Sequence, residues 1–574
     1  MKNQEIANIL YDIADYLEMD AVPFKPYAYQ RVALVLETME EDVEKLYQGG
    51  GLKALEAIPG VGKNIAEKIE EYLKTGKIKY YEQFKKRLPL NLKEMTSVEG
   101  MGPKKAKVLY QKLGVKDLKD LEKAAKSHQI APLFGFGEKT EKNILEGIKF
   151  LKRSKGRFLL GEILPKAQEV YDKLKNLKEV ERIDLAGSLR RRKETIGDVD
   201  FLVISKNPVP VVDFFVKQTG VVKIWGQGKT KASVRIKDGF DMDMRVVPKK
   251  SYGAALQYFT GSKEHNIVTR KIAMDKGLKL SEYGLFRGQR MVASASEEDI
   301  YQALGMQYPE PEIRENQGEI EAALRHKLPE LIGYQDIKGD LHCHSDWDGG
   351  KNTIEELAQA TLDMGYQYLG ISDHTKFLRL EHGLDEKRLT QRNKEIDKIN
   401  YKLKTINYKL KVLKGAEVNI LNDGLVDIKD ESLRELDFVI AGVHSSFKMD
   451  KNMMTERIIA AMKNPNIDII SHPTGRLIKI RDEYQIDFDR ILKAAKQYGV
   501  ILEINASPQR LDLNGQNVRR AKEAGVKMVI NTDAHHKNQL RLIAFGIAQA
   551  RRGWAEAKDI INTQPLDKLL NFFR

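Results

Sequence analysis

Two sets of residues in this chain have the types and spacing that metal chemistry requires. The first is carboxylate only: Asp198 and Asp200 in Gly197-Asp198-Val199-Asp200, and Asp243 in Asp241-Met242-Asp243. In a strand, residues two apart share a face, so Asp198 and Asp200 project together while Val199 and Phe201 enter a core. Asp243 on a nearby strand completes a three-carboxylate cage. Such a cage suits two Mg²⁺ that activate a 3′-hydroxyl and neutralise a leaving pyrophosphate. The second set mixes imidazole and carboxylate. It begins at Asp340-Leu341-His342-Cys343-His344, continues through His374, Glu417, His444 and His472, and ends at Asp533 and His535. On a strand His342 and His344 share a face and Cys343 points the other way, into a core. Six of the chain's 11 histidines fall at strand ends, too many for scattered surface positions. This donor set favours Mn, Zn or Fe over Mg and suits metal-assisted hydrolysis. A chain with both sets can make and break the same kind of bond.

Different elements must position each set. Strand patterns at 182–187, 199–204, 232–236 and 242–247 surround the acidic triad. Beyond 336, short apolar strands at 368–372, 438–443, 467–470, 500–504 and 528–530 alternate with helical stretches. That alternation predicts parallel strands with crossover helices, enough of them to close a barrel, with the ligands just after the strands where barrel sites form. The segment Glu312 to Leu328 reads as a charged, exposed helix before a domain boundary at 331–334. The first 150 residues have helical periodicity and a repeat: Ile58-Pro59-Gly60-Val61-Gly62, Val98-Glu99-Gly100-Met101-Gly102 and Leu133-Phe134-Gly135-Phe136-Gly137 each open an amphipathic helix. A Gly-x-Gly turn at a helix start offers backbone amides and the helix dipole to phosphate without reading sequence. The third copy carries Glu141 where the others have Ala, which fits a structural role.

With 574 residues, several cores are expected. The net charge of +14 favours polyanionic partners. The single cysteine excludes an internal disulfide and fits a reducing, cytoplasmic setting. No apolar run reaches the roughly 18 residues of a membrane span, and the start lacks a secretory signal pattern.

Longer motifs carry a resemblance. The glycine turns resemble helix-hairpin-helix motifs, implying DNA contacts at Gly60, Gly62, Gly100 and Gly102. Leu55 to Leu73 with Ala28-Tyr29 resembles the small domain of DNA polymerase beta. There Lys68 would form a Schiff base with a deoxyribose phosphate, assisted by Lys25 and Tyr29. Phe24 replaces a family histidine and Asn64 a phosphate-binding lysine. Gly187-Ser188 ten residues before Asp198-x-Asp200 resembles nucleotidyltransferases, implying that Gly187, Ser188 and Arg191 hold nucleotide phosphates. Tyr258-Phe259-Thr260-Gly261-Ser262 with Asn266 and Arg270 is similar to family X DNA polymerases. Tyr258, Phe259 and Gly261 would then line the nucleotide site, with Asn266 on the incoming base, Arg270 on the template, and Thr230 and Lys231 beside the primer. The same register assigns the third ligand to Asp243; Asp241, where polymerase beta is basic, either tunes the metal site or faces solvent, and solvent is the expectation. The histidine set resembles the PHP (polymerase and histidinol phosphatase) domain, a distorted barrel with a trinuclear site. Gly349 stands at a usual ligand position, so either Asp348 bends in as ligand or one metal is weakly held.

The resemblance implies a multidomain α/β chain. Its parts are a helical lyase-like domain (1–85), a second helix-hairpin-helix domain (86–153), a palm (154–250), a thumb (251–316), a linker (317–335) and a PHP barrel (336–574). It implies a monomer acting on gapped or primed DNA with dNTPs, two Mg²⁺ in the palm and up to three Mn²⁺ or Zn²⁺ in the barrel. The rival reading is a PHP nuclease or phosphatase whose polymerase half only binds DNA.

Overall fold

The computed structural model describes residues 2–573 apart from Ala21, Glu40, Ser97, Glu99, Gly100, Ser154, Lys155 and Asn407. The chain forms two compact units, one of residues 1–155 with 479–481, the other of 156–478 with 482–574.

Among the described residues of 1–155, every regular element is a helix. The repeat works as its periodicity requires. Ile65, Ala66 and Ile69 on the helix Lys63–Thr75, and Ala106 and Leu109 on Pro103–Leu113, point into one apolar core with Leu10, Ile13 and Leu36. The polar faces, rich in lysine, stay outside.

The second unit begins with a five-stranded sheet of β1 (Arg182–Leu185), β2 (Asp198–Ile204), β3 (Val221–Gln227), β4 (Lys231–Ile236) and β5 (Asp241–Val247), in the order β1-β2-β5-β4-β3. β2 and β5 run parallel, and their register sets Asp198 opposite Asp241 and Asp200 opposite Asp243. Alternation does the rest: Val199, Phe201, Met242 and Met244 are buried, so the aspartates share the opposite face.

A small thumb follows, with the helices Tyr252–Thr260 and Lys263–Asp275 and a three-stranded meander at 279–293. The segment 312–328 departs from its expected exposed helix. Only Glu319–Leu324 is α-helical, and Glu312, Arg314 and Glu319 are buried. Their charges are inside because each is paired. Arg314 Nη1 donates to Glu297 Oε1 at 2.6 Å, Glu319 Oε1 lies 2.7 Å from His265 Nδ1, and Glu312 accepts from Arg551 at 2.8 Å. Removing one partner of such a pair strands a buried charge, at about 3–5 kcal/mol. The stretch 317–335 is packed as well: Ile320 and Ala323 join the thumb core, and Ile332 joins that of the barrel.

The barrel is all parallel. β6 (Gly339–Cys343), β7 (Tyr368–Ile371) and β8 (Lys411–Lys414) form one sheet. β9 (Glu417–Asn419), β10 (Ile440–Gly442), β11 (Ile469–Ile470), β12 (Ile501–Asn505) and β13 (Met528–Asn531) form another. Single parallel bridges, Cys343 to Ala534 and His374 to Glu417, close the two sheets on each other. Apart from the ends of β8, the strands are buried on both faces, as a parallel barrel demands, and Cys343 packs with Leu369 and Ile371. No helix among the described residues is long and apolar enough to cross a membrane.

Candidate active sites

The palm carboxylates stand at the end of β2 and β5. Asp198 is exposed; Asp200 and Asp243 are partly buried. Burial first, then the neighbouring Asp198 and Asp243, push the Asp200 carboxyl up to about 7. Burial and Asp198 likewise raise Asp243, against a hydrogen bond from Ser233 across the ladder. Asp200 and Asp243 both resist ionising, so the site is short of positive charge, which divalent cations can supply. Gly187 has a positive φ of 60°, and a Cβ there would collide with the Asp200 carboxylate. The glycine therefore keeps the cage open, with Ser188 beside it at the start of the turn Gly187–Arg190. Asp241 does not simply face solvent: it accepts two bonds from Arg235, at 2.6 and 2.9 Å, and one from Trp225 Nε1 at 2.8 Å. Arg235 thus supplies Asp241 with its own cation.

A cleft of about 530 Å³ adjoins the cage, lined by Asp200, Asp243, Lys231, Arg245, Trp225 and Phe259 among others. Tyr258 and Phe259 meet edge to face at 5.2 Å. Arg191 Nη1 donates to the Thr260 carbonyl next to Gly261, and its Nε donates to Glu315 at 3.1 Å. Asn266 is tied inward, donating to the Tyr258 carbonyl and accepting from Gln257, each at 2.7 Å. Arg270 Nε donates to the Asn266 carbonyl at 3.2 Å, which holds its stem close to that residue.

The barrel brings its expected residues together. Glu417 is the hub. Its Oε2 lies 2.9 Å from His374 Nδ1 and 3.3 Å from His342 Nε2, and its Oε1 lies 3.0 Å from His472 Nε2 and 3.3 Å from His444 Nε2. Asp533 Oδ1 is 3.3 Å from His344 Nε2, and the His344 and His535 rings stack at 4.1 Å. Among the described residues, four triads have ligand atoms within 4.8 Å of one another: His344, His374 and His535; His342, His344 and Asp533; His374, Glu417 and His444; and His344, Asp348 and Asp373.

The imidazoles are oriented from behind. His342 Nδ1 meets Glu503 Oε1, His344 Nδ1 meets Asp348 Oδ2, and His444 Nδ1 meets Asn419 Oδ1, each at 2.7 Å. The front atoms His342 Nε2, His344 Nε2, His444 Nε2, His374 Nδ1 and Glu417 Oε2 are buried and make no hydrogen bond. Buried polar atoms are rarely left so. Back-bonded rings with bare front nitrogens fit metal ions. Burial drives His444 and His535 down to about 4, leaving neutral imidazoles. Burial also opposes protonation of His344, but Asp348 and Asp533 outweigh it and raise that ring to about 10.

Asp348 bends into the cluster, but both its oxygens are taken. Oδ2 accepts from His344 Nδ1 and the His374 amide, Oδ1 from the Gly350 amide. A Cβ on Gly349 would run into the Glu381 carboxylate, so the space of a side chain at 349 is already used. Sequence reading missed Glu503, Asn419 and Arg510, whose Nε lies 3.6 Å from Asp533 Oδ2. Glu503 had a signal: a lone carboxylate inside the apolar run Ile501 to Ile504.

In the helical unit, Gly62 and Gly102 start their helices with no side-chain cap, and nothing lies within 4 Å of the space beside either Cα. Gly60 adopts φ 81°, which glycine tolerates best. Gly100 lies outside the described residues. The third hairpin differs in kind. Glu141 is buried and accepts from the amides of Ile130 and Ala131, at 3.0 and 2.9 Å, so those amides serve the fold. Lys68 is half-buried, 5.0 Å above the Tyr80 ring, and donates to the Asn64 carbonyl at 3.1 Å. Burial lowers its ammonium pKa, against Glu67 and Glu71 and with Lys25. Tyr29 is buried, and Phe24 is exposed.

Comparison with known proteins accounts for nearly every part. Residues 1–78 match a helix-hairpin-helix domain, 92–149 a SAM-like helix-hairpin-helix tandem, 255–315 the DNA polymerase beta thumb, and 340–507 the PHP domain. The chain is 36% identical over 579 residues, and over all of both chains, to the DNA polymerase/3′-5′ exonuclease PolX of Bacillus subtilis. A probable phosphatase of Thermoanaerobacter sp. is 33% identical over 210 residues, covering 34% of this chain and 78% of that one. One from Shewanella sp. is 35% identical over 171 residues, 28% of this chain and 61% of that one. An end-to-end relative, a polymerase-type thumb and a PHP domain agree: the chain belongs to the family X DNA polymerases that carry a C-terminal PHP domain.

Proposed function

We propose that the protein is a DNA-directed DNA polymerase that fills short gaps during repair, with a 3′-5′ exonuclease in its barrel. The observation that carries the reading is the β2–β5 register, which sets Asp200 beside Asp243 at the cleft, with Asp198 on the same face of β2 as Asp200. Asp198, Asp200 and Asp243 would hold two Mg²⁺, which would supply Lewis acidity at the 3′-hydroxyl and the triphosphate. Ser188 and Arg191 would orient the triphosphate, Tyr258 and Phe259 would wall the sugar, and Lys231 would bind the primer phosphate. Asn266 and Arg270 would leave their inward bonds to meet the base pair.

In the barrel, His342, His344, His374, Glu417, His444, His472, Asp533 and His535 would hold up to three Mn²⁺ or Zn²⁺, which would polarise a phosphodiester and a water. Asp348, Glu503 and Asn419 would keep three imidazoles aimed. The name of the Bacillus subtilis relative supports pairing the two activities. The intact acidic triad weighs against the rival, a PHP nuclease whose polymerase half only binds DNA.

The helix starts at Gly62 and Gly102, which no side chain caps, would grip phosphates on either side of a gap, with Gly60 and Gly100 beside them in the sequence, a bivalent hold. Lys68, with its lowered pKa, would attack the aldehyde of a 5′-deoxyribose phosphate, lose water to form an imine, and permit β-elimination of the downstream strand. A gapped, end-labelled duplex incubated with Mg²⁺ or Mn²⁺ tests the whole reading. Extension and 3′ shortening should both occur, and a short 5′-phosphorylated gap should fill faster than an open template–primer. Shortening without extension would establish the rival. Borohydride should trap an adduct with a deoxyribose-phosphate substrate, and Lys68→Ala should abolish it while sparing gap filling. An adduct of unchanged yield in that variant would move the lyase to another lysine.

A further inference from the structure

The polymerase and barrel domains meet at a shared carboxylate. Glu315, at the end of the thumb, faces three cations. Arg191 Nε lies at 3.1 Å from its Oε1, Arg552 Nη1 at 3.2 Å from the same oxygen, and Lys193 Nζ at 3.5 Å from Oε2. Arg191 is the residue proposed above for the triphosphate. Arg552 ends the barrel helix Ile543–Arg552, whose Ile547 and Ala550 are part of the barrel core. The same Arg552 nitrogen also donates to the Arg191 carbonyl at 2.9 Å and the Glu312 carbonyl at 3.4 Å. All three side chains are nearly buried, with 12% of Arg191, 14% of Glu315 and 14% of Arg552 exposed. Next to it, Arg551 holds Glu312 at 2.8 Å and the Ile332 carbonyl at 2.8 Å, so the guanidinium is presented from a fixed base.

We infer that Arg552 of the barrel is a positioning residue for nucleotide addition in the palm: by holding Glu315 and the Arg191 backbone, it keeps the Arg191 guanidinium available to the triphosphate. The inference rests on the nucleotide role proposed for Arg191. The physical argument is competition. One carboxylate oxygen serves two guanidiniums, and each weakens its hold on the other. Remove Arg552, and Glu315 pairs with Arg191 and Lys193 alone. A triphosphate must then draw Arg191 from a stronger, largely buried pair. The backbone at Arg191 also loses its tether to the barrel. Nucleotide affinity should suffer rather than the chemical step, because the acidic triad is untouched.

The test is steady-state addition by the full chain, varying one dNTP at saturating Mg²⁺ and primed template. Arg552→Gln should raise the KM for dNTP about five- to tenfold with kcat within about twofold. Arg552→Lys, which keeps the charge and loses the fork, should fall between. Glu315→Gln with Arg552→Gln should recover part of the lost affinity, because the competing carboxylate charge is gone. Exonuclease rate and barrel metal content, measured on the same samples, report that the barrel is intact. Arg191→Ala separates the two layers. If it raises the dNTP KM while Arg552→Gln does not, the coupling is wrong and the role of Arg191 stands. If Arg191→Ala leaves KM unchanged, the nucleotide role falls and the coupling falls with it. Strictly additive losses in the double variant would also overturn the competition.

Discussion

The palm and barrel cages solve the problem of holding divalent cations in opposite ways. The palm cage is all carboxylate, half open and supported by little beyond Ser233. Its carboxylates crowd one another, and Asp200 is pushed to about 7 by burial and its neighbours. The barrel cage is buried and mixed. Its carboxylates sit among imidazoles, so Glu417 is held well below the usual range by His342, His444 and His374 although burial acts the other way. Three of its six rings have a side-chain acceptor behind them. A cage of the first kind suits ions that arrive with a substrate and leave with its product. The second suits resident ions, because its geometry is set before any ion enters. The two share no ligand.

That separation makes the largest prediction a double dissociation. Asp243→Asn should reduce nucleotide addition by about three orders of magnitude or more and leave 3′ shortening near normal. His344→Ala should do the reverse and also lower the metal content of the purified protein. Primer extension and shortening on one labelled substrate check both. Loss of both activities from either folded variant would mean that one cage does both jobs.

The contrast in support can be sharpened. Glu503→Gln keeps every proposed ligand but removes the charge behind His342. It should weaken barrel metal binding about 10- to 100-fold, read by metal analysis after graded chelation. Ser233→Ala, which removes the one hydroxyl behind Asp243, should change nucleotide addition less than about tenfold. Equal sensitivity would erase the distinction between a supported cage and a bare one.

Proton competition gives a smaller effect. With its carboxyl near 7, Asp200 binds a proton where a cation must go. The Mg²⁺ concentration for half-maximal addition should therefore fall several-fold between pH 6 and pH 8. A flat dependence would mean that Asp200 is ionised throughout.

How much of this was legible in the sequence follows from period and range. Strand alternation is local, so the shared face of Asp198 and Asp200 could be read directly. The parallel barrel followed from apolar strands alternating with helices. Pairing across long separations could not be read. Arg314 and Glu319 looked like surface charges because the partners that permit their burial, Glu297 and His265, lie 17 and 54 residues away. The same limit hid Glu315, whose partner Arg552 is 237 residues on. Asp348 was visible as a displaced carboxylate, but its place behind His344 depends on the His374 amide, a tertiary contact.

The smallest effect is on stability, and there the two cages should differ in sign. An Asp whose folded pKa lies above its unfolded value disfavours folding once it must ionise. For Asp200 that loss grows as pH rises from about 4 through 7. Asp200→Asn removes it, so metal-free protein at pH 8 should melt a few degrees higher than wild type, and the difference should vanish near pH 4. Glu417 is the opposite case. Its folded pKa is depressed, so its ionised form stabilises the fold above the ordinary carboxylate range, and that contribution is lost as pH falls through the folded value. Glu417→Gln should therefore lower the melting temperature of metal-free protein at pH 8. Saturating metal should reverse the first result, since Mg²⁺ rewards an ionised Asp200, and should enlarge the second. Melting curves of the two variants and wild type, with chelator and with metal, decide it. An Asp200→Asn variant that melts no higher than wild type without metal would show that burial and its neighbours do not strain the Asp200 carboxylate. A Glu417→Gln variant that melts higher would show that the histidines do not support Glu417.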